Sequence, residues 1–103
     1  MVGDGWVPVR PGIMRKPLAI EPGRGIQADI MRIEPDFTDL PHTHNGFEWV
    51  YLLEGGFTDQ AGEHKKGDFL INTTEGVHQL RTGKEGCTLI IVWTGSVTRI
   101  KPG

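Results

Sequence analysis

A single cysteine, Cys87, stands in a chain of 103 residues. No internal disulfide can form, and no Cys-rich zinc module can be assembled from this chain. Long apolar runs are lacking too. The longest, Leu89 to Trp93, is far too short to span a bilayer. Gly3, Asp4, Gly5, Pro8 and Arg10 interrupt the amino terminus where the apolar stretch of a signal peptide would lie. Charge of either sign is not in excess: the formal net charge is −2 and the pI near 6.0. That balance gives no electrostatic footprint for nucleic acid or an anionic membrane. The one basic run, His64-Lys65-Lys66, lies between Gly62 and Gly67 and reads as a solvated turn. The expectation from these absences is one domain spanning 1–103, cytoplasmic, held by packing, without a nucleic-acid or membrane partner.

Turn formers, by contrast, are abundant, with 15 Gly and 7 Pro. No window of about twelve residues carries a helical apolar period, whereas period-two alternation recurs. The expected strands are Trp6–Val9, Ile13–Ile20, Ile26–Ile33, Phe47–Leu53, Phe57–Asp59 paired with His64–Lys65, Phe69–Asn72, Val77–Arg81 and Thr88–Thr94. Glu34 to Pro41 reads as an irregular loop, Gly55-Gly56 as the end of a strand, and Thr82 to Gly86 as a turn. Short strands with turns at regular intervals predict an all-β antiparallel sandwich or barrel.

One stretch carries chemistry. His42, His44 and Glu48 sit at even offsets, so an extended backbone directs all three side chains to one face. Two imidazoles and a carboxylate form part of a ligand shell for a divalent transition metal, and His78, in a later apolar segment, supplies a fourth ligand. Each residue taken alone has an ordinary explanation, as a loop histidine or a strand carboxylate. The donor types suit Zn, Fe(II), Mn, Ni or Cu and do not choose among them. Four protein ligands leave coordination positions open, as in catalytic or sensing sites.

The spacing His-x-His, three residues, Glu, six residues, Gly, met by His42, His44, Glu48 and Gly55, resembles the first signature of the cupin superfamily. Gly67 and His78 match the second signature, with Thr73 standing where Pro is usual and Gly76 one position late. The segments Leu53–Asp59, Gly62–Gly67 and Glu85–Leu89, with the Trp6…Pro8…Gly12…Lys16-Pro17-Leu18 opening, are similar to ChrR-type cupins and related acetylacetone-cleaving dioxygenases. The resemblance implies a cupin barrel (double-stranded β-helix, jelly-roll) with a metal inside its mouth, usually in a homodimer. It also implies two functions. One is a metal-dependent dioxygenase-like enzyme acting on a small oxygen-chelating organic molecule, with Glu48 able to act as a base. The other is a non-catalytic zinc-binding ligand or redox sensor module like the cupin-like domain of the ChrR anti-sigma factors. Diketone-cleaving relatives use three His, so Glu48 departs from them and matches the ChrR ligand set.

If Glu48 faces inward, Val50 and Leu52 share its face and Leu80 shares that of His78. With Leu70 and Ile90 or Val92 they are expected to line an apolar substrate cavity; plain core packing is the alternative for each. Phe47, Trp49 and Tyr51 then form an outer aromatic stripe, covered by the amino-terminal strands or by a second subunit, and a homodimer is the expectation. Cys87 is expected to be a buried small hydrophobe, and Arg32 and Arg81 surface residues.

Overall fold

A computed structural model describes residues 5–44, 46–73, 77–94 and 97–99, with the side chains of Pro22, His44 and 97–99 outside that set. Nine strands follow in order: β1 (Val7–Arg10), β2 (Ile13–Glu21), β3 (Ile26–Ile33), β4 (His42–His44), β5 (Glu48–Asp59), β6 (Gly62–Lys65), β7 (Phe69–Asn72), β8 (Arg81–Thr94) and β9 (Val97–Arg99). A 3-10 turn, Pro22–Arg24, joins β2 to β3. All pairings are antiparallel. The larger sheet runs β1-β2-β3-β8-β5-β6, with β7 also on β5, and a small second sheet pairs β4 with β9. The all-β cupin architecture expected from the sequence is the one observed.

The long strands β5 and β8 form the spine. Glu48 to Tyr51 pairs with β7, Gly56 to Asp59 pairs with β6, and the opposite edge pairs with β8 along most of its length. The sequence expectation that Gly55-Gly56 ends a strand is therefore corrected. Gly55 has φ +69° and sits at a register shift, so the strand bends there and continues. A Cβ at Gly55 would collide with the carbonyl oxygen of Gly86, which itself has φ +65° and lies against Ile33. Two glycines thus allow main chain to meet main chain at one end of the barrel. The same freedom lets β8 begin at Arg81, absorbing the expected turn 82–86. Val77–Arg81, expected as a strand, instead forms only a bridge at His78 before β8 starts.

Ile13, Ile33, Val50, Leu52, Phe57, Cys87, Leu89 and Ile91 make the buried core. Register shows how the inner face is assembled. Leu52 stands opposite Leu89, which stands opposite Met31; Val50 stands opposite Ile91, which stands opposite Asp29. The apolar alternation at Ile26, Ala28 and Ile30 belongs to the other face, where Ile26 is exposed, and Asp29, Met31 and Ile33 turn inward. Apolar side chains thus close one end of the barrel, around Cys87, while Glu48, Asn72 and Trp93 stand at the other.

Candidate functional site

The segment before β4 is laid onto the start of β8 by hydrogen bonds. Thr82, largely buried, donates its hydroxyl to the carbonyl of Glu34 at 2.6 Å and accepts from the Phe37 N–H at 2.9 Å. Main-chain bonds continue from Thr82 N–H to Phe37 O at 2.8 Å and from Asp39 N–H to Leu80 O at 2.9 Å. The series ends where His42 and His78 exchange both main-chain hydrogen bonds, each 2.8 Å. Directly opposed residues of an antiparallel pair project to the same side. Accordingly the two imidazole rings stack with centroids 6.0 Å apart and planes inclined by 30°.

Both rings are held through Nδ1. In His42 that nitrogen lies 3.3 Å from the carbonyl of Leu40, an acceptor, so Nδ1 carries the proton and Nε2 presents a lone pair. In His78, Nδ1 lies 2.6 Å from Nε2 of Gln60, at the tip of the β5–β6 hairpin, and Nε2 is shielded from solvent. With the amide in this orientation its nitrogen donates to Nδ1 and the His78 proton sits on Nε2. A turned amide presents Oε1 instead, fixes the proton on Nδ1 and releases the Nε2 lone pair. Glu48 projects from the neighbouring strand, where Asn72 Nδ2 donates to its Oε1 at 2.8 Å across the β5–β7 register.

These side chains border a cavity of about 420 Å³. His42, His78, Glu48, Val50 and Leu80 line it. Leu52 is fully buried in the closed end, and Leu70 packs partly buried against the core. Ile90 is a correction: it is registered with Ile30 and Tyr51 on the outer face, and its neighbours Leu89 and Ile91 are the ones that line the cavity. The apolar run 89–93 carries no alternation that could fix the phase; only pairing does. The His44 side chain lies outside the described residues. Among those described, no group of three or more His, Cys, Asp or Glu side chains is gathered as a metal site. The donor chemistry fits a metal: His42, with Nδ1 turned to the Leu40 carbonyl, can offer Nε2, and His78 can do the same once the Gln60 amide is turned.

Several cavity residues escaped the sequence reading. Asp29 is completely buried, its two oxygens each 3.0 Å from Nε2 of Gln27, with Trp93 Nε1 donating at 3.2 Å. Arg10 grips Asp39 through Nε and Nη2 at 3.2 and 2.6 Å. Asp59 accepts from the Ala61 N–H and sits 2.9 Å from Nε2 of His64. A charged residue inside an apolar strand, as at Asp29, was the one available signal; Asn72 and Gln60 depend on partners distant in sequence. Cys87 is fully buried. Desolvation pushes its thiol from 9.0 up to about 11, partly offset by the positive charge of Arg32, so it is no thiolate nucleophile at neutral pH.

The sequence matches the family model of the ChrR cupin-like domain over residues 4–98. Among solved structures, an RmlC-like cupin protein from Ralstonia eutropha superposes with TM-score 0.85 at 18% identity, covering 93% of this chain and 66% of that one. An acetylacetone dioxygenase from Acinetobacter johnsonii gives TM-score 0.84 at 14% identity, covering 98% and 75%. A chain from the complex of Rhodobacter sphaeroides SigE with the anti-sigma ChrR gives 0.73 at 21%, covering 86% and 47%. The present chain thus spans just under two thirds of the first of these and less than half of the last. No curated protein sequence matches it. Among the described residues, no helix is long and apolar enough to cross a membrane.

Proposed function

The chain belongs to the ChrR cupin-like domain family, and from that premise we propose that it is a metal-binding cupin with a dioxygenase-like activity on a small organic molecule bearing chelating oxygens. The observation that carries this reading is the opposed pair His42 and His78, both bordering a cavity large enough for such a molecule. His42, His44, Glu48 and His78 would hold the ion. When bound, a divalent metal supplies Lewis acidity to the ligand's oxygens. The chain's own residues supply the rest. Val50, Leu80, Leu89 and Ile91 exclude water and orient an apolar body, while the Glu48 carboxylate, steadied by Asn72, would serve as base for the ligand's acidic carbon when released from holding the ion.

A second reading is favoured by the family match itself: a zinc-holding module that binds a ligand without turning it over. Metal analysis of untagged, as-purified protein, combined with O₂ consumption on a diketone panel, separates the two. Iron with O₂ uptake supports the enzyme; tight zinc without turnover eliminates it in favour of the sensor.

The protein's partner would be a second copy. Tyr51 and Phe69 stand opposite each other on the outer face, next to Trp49 and Ile71, and Tyr51, Phe69 and Ile71 are 43%, 59% and 58% exposed. The amino-terminal strands lie at the far edge of the sheet, beyond β3. A contiguous apolar face of this kind is stabilised by burial against its own symmetry mate.

A further inference from the structure

We propose that the cavity takes a small organic acid and that Arg15 receives its carboxylate. This rests on the cavity being a ligand site and narrows the ligand's class. Arg15 lies on β2 opposite Met31, on the inward face of the sheet, and lines the cavity with its neighbour Ile13. Its Nε is buried and has no hydrogen-bond partner among the described residues. A buried N–H donor left without an acceptor is costly, so the arrangement favours a ligand that brings one, and the charge of the guanidinium favours an anion.

The carboxylates around the cavity do not fill that role. Asp39 is held in a two-pronged grip by Arg10, Asp59 by His64 and the Ala61 N–H, Glu48 by Asn72. Asp29 is two residues along the same inward face from Arg15's partner Met31, yet its donors are Gln27 and Trp93, and no ion pair joins it to Arg15. Of the two arginines that line the cavity, Arg10 is engaged and Arg15 is not. A guanidinium matches a carboxylate through two parallel N–H donors, which a neutral ketone cannot use equally.

Acetoacetate and acetylacetone make the test, since they share a 1,3-dicarbonyl body and differ by the carboxylate. Isothermal titration calorimetry on the metal-loaded full chain is expected to show acetoacetate bound about tenfold or more tighter than acetylacetone. Arg15→Met, which keeps the apolar stem, is expected to erase that preference and leave acetylacetone affinity unchanged; Arg15→Lys retains part of it. Wild-type protein without the preference, or Arg15→Met that keeps it, overturns the proposal. Should Arg15→Met fail to fold by circular dichroism, the wild-type comparison and Arg15→Lys still decide. Chelator-stripped protein separates the two readings. Acetoacetate binding that survives stripping and still depends on Arg15 upholds the carboxylate site and removes the need for metal. Equal binding of both probes, lost on stripping, upholds the metal and overturns Arg15.

Discussion

Gln60 reaches from a hairpin tip to within 2.6 Å of His78 Nδ1, so a turn at one edge of the sheet controls the imidazole of a segment far away in sequence. Outer partners of this kind fix the tautomer and ring angle of a ligating histidine.

Gln60→Leu is therefore expected to weaken zinc binding by about 10- to 100-fold, with Gln60→Glu, which always accepts from Nδ1–H, binding as well as wild type or better. His78→Ala is expected to abolish metal retention. Competition against a chromogenic chelator measures all three; unchanged zinc affinity in His78→Ala would remove that residue from the ligand set.

Thr82 ties the 34–41 loop to β8 through three polar contacts to Glu34 and Phe37. Thr82→Val keeps the shape and removes them, leaving the half-buried Glu34 carbonyl and Phe37 N–H without this partner at a cost of about 1–3 kcal/mol. Thermal or urea unfolding should register that loss, and Thr82→Ser should recover most of it.

Cys87 sets an alkaline limit. Its folded thiol ionises near 11 rather than 9.0 because burial disfavours the thiolate. Above the unfolded value the denatured chain releases this proton while the native chain keeps it, so stability is fully present below 9.0 and is lost as pH rises toward 11. Urea unfolding across that range should show the decline, and Cys87→Ala should flatten it. A thiol reagent at pH 8 should react only with denatured protein.

Phe69→Lys combined with Ile71→Lys places two charges on the exposed outer face. Light scattering after size exclusion is expected to give a dimer for wild type and a monomer for the double variant, with the fold intact by circular dichroism. A monomeric wild type would dismiss the interface.

Much of this was legible because it depends on local spacing. His42, Glu48 and Val50 reach one cavity since period-two geometry needs only an extended chain, and the place of His78 after Gly67 carried weight through the resemblance to the second cupin signature. What stayed hidden depends on pairing between distant segments. Ile90 was assigned inward because Leu89–Trp93 is apolar on both faces. Gly55 and Gly86 read as strand ends, although they let β5 and β8 bend and continue. The alternation of Ile26, Ala28 and Ile30 with Gln27 and Asp29 does not tell which half faces inward, and Arg15 had no sequence signal beyond its charge.

The main-chain contact at Gly55 and Gly86 also separates two kinds of tolerance to change. Strand register is locked at the end of the barrel away from Glu48, Asn72 and Trp93, where a single added methyl group would be rejected. The polar side chains around the cavity, among them His42, Glu48, Asn72 and His78, stand apart from that contact, whereas Ile13, Ile33, Val50, Phe57, Leu89 and Ile91 line the cavity and build the core at once. Exchanging a polar lining residue can therefore retune which molecule is accepted, while exchanging an apolar one disturbs the framework as well.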